Sequence, residues 1–214
     1  ISAFGGVVAF NSEVTEKTAL EITKIFTEIV VAPSFSVKAK SILAKKKNLI
    51  LIKYKKSSNN QKFHIKSTSN FILVQERDNK NIIKPELVFK TVKKPSNSDI
   101  NDMIFAFTVA KHVNSNAIVL ASNLATIGIG IGQTSRIEST KQAISKMKLN
   151  YKKVKPVLAS DGFFPFSDIV DLCSINNIKS IIQPGGSMND DKVIESANKL
   201  KISIVFTNIR HFKH

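Results

Sequence analysis

Short runs rich in β-branched residues alternate with amphipathic helical stretches along most of this chain, and that alternation leaves few folds open. Residues 3 to 10 read as a strand, with Gly5 and Gly6 allowing close backbone approach. Asn11 or Ser12 is placed to cap a helix over about 13 to 26, whose apolar positions are Val14, Ala19, Leu20, Ile22 and Ile25. EIVVA follows as a strand that Pro33 ends; Ser36 caps a second helix to about Lys47; NLILIKY is a third strand. This β-α-β-α-β order predicts a layered α/β fold.

Residues 55 to 95 change character. KKSSNNQK is a polar loop, and FILVQE and ELVFKTV are strands with no helix between them, an antiparallel excursion or a domain connection. From Ser98 the alternation resumes. DINDMIFAFTVAKHV, SRIESTKQAISKM, FSDIVDLCSINN and DDKVIESANKL read as helices, and NAIVLA, LATIGIGI, PVLAS, IKSIIQ and ISIVFT as strands. Three segments are expected: 1–54, part of a first α/β subdomain; 55–97, connecting strands and loop; and 98–214, a second α/β subdomain.

Charge is the next constraint. The formal net charge is +16, which by itself suggests nucleic acid. The basic residues argue otherwise, because only Arg77, Arg136 and Arg210 are arginine and all the rest are lysine. Nucleic-acid readers exploit the bidentate arginine fork. The KAKSILAKKK and YKKVK clusters are read as solvated surface, and each arginine becomes a candidate for a place where a planar fork matters. Cys173 is the only cysteine, which excludes an internal disulfide and a cysteine-based zinc site, fits a reducing cytoplasm, and reads as a buried thiol in an apolar helix face. No apolar run approaches the ~18 residues a membrane span needs.

The unusual residues cluster in loops at strand ends, where open α/β sheets bind ligands. TIGIGIGQTSR, residues 126 to 136, lacks the third glycine of a dinucleotide fingerprint. Gly130 and Gly132 still allow a ligand close to the backbone, and Arg136 at a helix start suits a phosphate or carboxylate; the alternative is a tight turn with a capping serine. QPGGSMNDD, residues 183 to 191, is a second strand-turn-helix junction, opened by Ser187 or Asn189, and is either a ligand loop or a well-capped helix. SDGFFPF, residues 160 to 166, crowds three phenylalanines onto one loop between Asp161 and Asp168. Aromatic faces with carboxylates that accept from ring amines suit a flat heterocycle; a hydrophobic lid or dimer contact is the alternative. His211 and His214 lack a third ligand, so no metal is expected, and His64 and His112 stand alone.

Taken in order, SAFGG, the stretch from VAP to KKKN, NSNAIVLA, TIGIGIGQTSR, ASDGFFPF, IIQPGGSMNDD and the closing RHFKH resemble the bifunctional purine biosynthesis family, and within it the C-terminal AICAR formyltransferase domain (AICAR is aminoimidazole carboxamide ribonucleotide). The resemblance covers essentially the whole chain. It implies cytidine-deaminase-like αβα layers, a cytoplasmic homodimer with interfacial active sites, and formyl transfer from 10-formyltetrahydrofolate to the ring amine of AICAR, giving FAICAR, which a separate cyclohydrolase domain closes to inosine monophosphate. Nucleic acid and membrane are not implied as partners, nor a metal beyond a structural monovalent cation. By motif position, Gly5, Glu28, Lys47, Asn116, Arg136, Phe163 and Arg210 would contact the nucleotide. Ile1, Ile137, Pro165, Phe166, Asp168, Ser187 and Met188 would lie at the folate.

One departure matters. The family's catalytic Lys-His pair belongs to a KHANPCG-like motif preceding SAFGG, and this sequence has no such motif; Lys111-His112 does not substitute. ISAFGGVVAF also reads as the middle of a strand. The expectation is a fragment of a longer protein that by itself is inactive or nearly so. A basic nucleic-acid-binding module and a non-catalytic nucleotide-binding domain remain the alternative readings.

Overall fold

A computed structural model describes residues 4–55, 62–151 and 153–213. It divides into two compact units, Ile1–Arg77 and Asp78–His214.

The first unit opens with β1 (Gly6–Ala9), α1 (Glu16–Ile22), β2 (Thr27–Ala32), α2 (Val37–Leu43) and β3 (Ile50–Lys53). The three strands are parallel, in the order β1-β2-β3. Val30 and Ala32 of β2 pack with Ala19 and Ile22 of α1 and Ala39 and Leu43 of α2, so the helices cover one sheet face. The other face carries the in-register rows Val7–Ile29–Ile50 and Ala9–Val31–Ile52, exposed or half-exposed.

The first helix is shorter than its apolar pattern and is capped by Thr15, not by Asn11 or Ser12. Val14, which the pattern places inside the helix, instead forms a bridge with Phe35. Its backbone is held extended, and the helix starts only after it. Ser36 caps α2 as expected, accepting from the Ala39 amide at 3.2 Å, but the helix stops at Leu43. FHIKS, which had no assigned role, forms β4 (Phe63–Ser67) and pairs antiparallel with β5 (Ile72–Glu76).

The second unit runs through a 3-10 turn (Lys84–Glu86), β6 (Val88–Phe89), α3 (Asn97–Ala110), β7 (Ile118–Ser122), β8 (Ala125–Gly130), α4 (Arg136–Asn150), β9 (Val157–Ser160), α5 (Asp168–Ile175), β10 (Ser180–Gln183), α6 (Asp190–Lys199) and β11 (Ser203–Phe206). The strand expected over ELVFKTV shrinks to the two residues of β6, because Pro85 starts a helical turn just before them. The strand order is β6-β11-β10-β9-β7-β8.

Alternating strand residues feed two cores. Ile118, Leu120, Leu158, Ile181 and Ile204 pack with α4, α5 and α6. Val119, Ala121, Val157, Ala159, Ile182 and Val205 pack with α3. This is an αβα sandwich of the expected layered α/β class, and its central strands are apolar on both faces, as a doubly covered sheet requires. The β7–β8 turn places Asn123 and Leu124 at positive φ, and buried Asp102 of α3 accepts both their amides, at 2.9 and 2.7 Å.

Cys173 is fully buried against this core, and burial pushes its thiol above the ordinary value. The native protein is expected to resist iodoacetamide at about pH 8 and to label on denaturation, because only a thiolate reacts. Rapid native labelling would contradict the burial. The folded pKa is the raised one, so this group's share of stability is full below the ordinary thiol value, ~8.5, and falls as pH rises beyond it.

Candidate functional site

Strand direction decides where the unusual loops meet. β9, β10 and β11 are parallel, β7 is antiparallel to β9, and β8 is antiparallel to β7. The ends of β8, β9, β10 and β11 and the start of β7 therefore share one sheet edge. That edge carries the segments 114–117, 131–137, 161–168, 184–189 and 207–213, which hold every ligand candidate of the second unit.

Asp161 ties several of them together. Its carboxylate is completely buried, and it accepts from Arg136 Nη2 at 3.2 Å and from the Ser115 hydroxyl. Its backbone oxygen accepts from the His211 amide at 3.1 Å, and its amide donates to Ala117 at 3.3 Å. This corrects the expectation that Asp161 would face ring amines: its oxygens are committed inside the protein. Arg136 begins α4, with Ser135 as its cap. Its side chain is 15% exposed, and its Nε is buried without a partner. A Cβ on Gly162 would lie 1.9 Å from Arg136 Nη2, so only glycine lets the guanidinium lie against this backbone. Asn116 donates its side-chain amide to the Gln133 carbonyl at 2.9 Å, joining the β7 entrance to the β8 exit.

The three phenylalanines of SDGFFPF go three ways. Phe164 is buried in the core, and its amide donates to buried Gln183 at 3.1 Å. Phe163 is half-buried, and the Arg210 guanidinium lies over its ring, 4.8 Å from the centroid. Phe166 is exposed. Arg210 also reaches to 3.2 Å from where a Gly186 Cβ would stand, so Phe163 and Gly186 both neighbour the fork.

The remaining candidates lie on the same edge. Asn189 donates to the Pro165 carbonyl at 2.9 Å, fastening the 161–167 and 184–189 loops together. Met188 is fully exposed beside Ser187, whose hydroxyl accepts from the Asn189 amide at 3.2 Å. Asp168 is exposed, and its carboxylate accepts from the Ile169 amide at 2.9 Å. Ile137 is partly buried and packs on the core below.

Gly130 of β8 serves another purpose than the one expected, and Gly128 shares it. A Cβ on Gly128 or Gly130 would stand 2.2 Å from the Ala143 carbonyl oxygen or 1.9 Å from that of Ser139, both on α4. Gly130 thus admits a helix, not a ligand; Gly132, at φ +61° with open space around it, stays free to meet one. His211 is buried, pairs with Asp78 and packs on Phe107, a structural histidine. His214 lies outside the described residues. Among the described residues, no three His, Cys, Asp or Glu side chains are grouped to hold a metal, and no helix is long and apolar enough to cross a membrane.

In the first unit, Gly5 adopts φ +68°, and a Cβ there would stand 3.0 Å from Glu28 Oε1, so these two candidates are neighbours. Lys47 lines a cavity of about 190 Å³ with Ile22, Phe26, Thr27 and Asn48, where the Thr27 hydroxyl is buried without a partner. Ile1 lies outside the described residues. Ser115, Gly162 and Gln183 went unnoticed in the sequence, because a serine before an asparagine and a glycine after an aspartate signal turns before they signal a network.

Residues 1–146 match the family model described as the AICARFT/IMPCHase bienzyme. Three bifunctional purine biosynthesis proteins PurH align along the entire chain: 47% identical in Fusobacterium nucleatum, 46% in Caldicellulosiruptor saccharolyticus and 49% in Buchnera aphidicola. The chain spans 42%, 41% and 41% of these relatives, about two fifths of their length.

Proposed function

This chain belongs to the AICARFT/IMPCHase bienzyme family, and on that premise we propose that it carries nucleotide and folate contacts for formyl transfer from 10-formyltetrahydrofolate to the 5-amino group of AICAR, a step of purine biosynthesis. The observation that carries the reading is the Arg210 guanidinium over the Phe163 ring, at the sheet edge that also holds Arg136. Two of the three arginines of a lysine-biased chain stand at this edge. A fork stacked on an aromatic ring is held in a fixed plane, and its edge donors suit an anionic, hydrogen-bonding ligand.

The folate supplies the formyl group. Exposed Phe166 and Met188, on loops fastened by Asn189, offer apolar contact for its ring, and Asp168 and Ser187 offer polar contact for its edge. Arg136, Arg210 and Asn116 hold the acceptor nucleotide. Their contribution is orientation of the amine toward the formyl carbon. The amine is a weak nucleophile that must give up a proton, and the Lys-His motif the family uses for this is not in the sequence. Binding without turnover is the activity proposed for these 214 residues. The proposed assembly is a cytoplasmic homodimer with interfacial sites, free of nucleic acid and catalytic metal.

Calorimetric titration at physiological salt tests this, with AICAR, a folate analogue and a random DNA duplex as titrants. Saturable binding of AICAR and of the folate analogue is expected. Arg210→Lys should weaken AICAR about tenfold, through loss of the planar fork stacked on Phe163. Absence of AICAR binding together with salt-sensitive DNA binding would overturn the reading.

A further inference from the structure

We propose that Asp161 is a positioning residue, whose buried carboxylate presents the Arg136 fork to the acceptor nucleotide; this rests on the nucleotide reading above. Four observations converge on it. Asp161 has no exposed surface, yet it accepts from Arg136 Nη2 on one oxygen and from Ser115 on the other. Its own backbone is fixed by Ala117 and His211, which lie on two other segments of the same edge. A side chain at position 162 would collide with the guanidinium, which lies where its Cβ would stand. Arg136 Nε remains buried without a partner, a donor that the protein orients and does not use.

Stability alone does not account for the pair. Taking two charges out of water costs about as much as their attraction returns, so a buried pair is commonly replaceable by apolar side chains without loss. What a buried pair does supply is a fixed geometry. An arginine at the start of a helix has four side-chain torsions to lose on binding. Here one end of its fork is already held by an acceptor that cannot itself move. The ligand then meets a preset donor and is spared the cost of ordering it. Ser115 completes the device by occupying the second carboxylate oxygen, which keeps Asp161 from rotating.

The experiment uses the full-length natural polypeptide and measures kcat, both KM values and the melting temperature for Asp161→Asn and Ser115→Ala. Asp161→Asn keeps the shape and removes the charge. It is expected to raise the KM for AICAR about tenfold, the cost of one charge-assisted hydrogen bond, with the folate KM unchanged. Ser115→Ala is expected to move the AICAR KM in the same direction by about threefold, in line with loss of one neutral hydrogen bond. A merely structural carboxylate would lower the melting temperature and leave the KM of the folded enzyme alone. An AICAR KM equal to wild type in a folded Asp161→Asn enzyme overturns the proposal. If that variant does not fold, an unchanged AICAR KM in Ser115→Ala overturns it. Wild-type enzyme with no affinity for AICAR would instead sink the nucleotide reading itself.

Discussion

Gly130→Ala is expected to destabilise the second unit by about 3 kcal/mol, at the upper end of overpacking costs in a close-packed interior. The added methyl would stand 1.9 Å from the Ser139 carbonyl oxygen and 2.8 Å from the Ser139 Cα. Those atoms belong to the backbone of α4, which cannot swing aside as a side chain does. The helix has to lift from β8 along its first turns, where Arg136 sits. For a unit of this size the melting temperature should fall by roughly 6–12 °C. Gly132→Ala is the control: it meets no neighbour, and its cost comes only from φ +61°, about 1 kcal/mol. Thermal unfolding of both variants checks this, and a Gly130→Ala loss no greater than that of Gly132→Ala would refute the helix-packing role.

The second large effect is Arg136→Met. It removes one member of a pair whose other member, Asp161, has no exposed surface. An uncompensated buried carboxylate costs about 3–5 kcal/mol. The double variant Arg136→Met/Asp161→Leu removes both charges and should recover most of that stability, because the desolvation penalty disappears with them. It should not recover affinity for AICAR, since the fork is gone. Chemical denaturation and titration of the same three proteins separate the two quantities. A double variant as unstable as the single one would mean that the loss comes from packing, not from the stranded charge.

Much of the architecture was legible before any coordinates. The alternation of apolar runs from Ser98 onward predicted each helix and all the longer strands of the second unit, because a sheet covered on both faces writes itself as continuous β-branched runs. Ser36 was legible as a cap because a serine before a helical pattern has one obvious use. Thr15 was not: the bridge that holds Val14 extended reaches across to Phe35, and no local pattern reports a contact so distant in sequence. Arg136 and Arg210 stood out by rarity alone. Asp161 stands out in the sequence but its direction does not, since a carboxylate in an aromatic loop looks alike whether it faces a ligand or an arginine.

By itself, then, the sequence determined the layered α/β class, the family through its ordered loop motifs, and the loops where ligand chemistry concentrates. These follow from periodicity and residue type, which are local properties of a chain. Tertiary structure alone decided what each loop residue touches. It sent Phe164 to the core and left Phe163 under Arg210, made Gly130 a seat for α4, and turned Asp161 inward onto Arg136. Each choice depends on strands and helices distant in sequence that share one sheet edge, and burial and pairing energies are set there by three-dimensional neighbours.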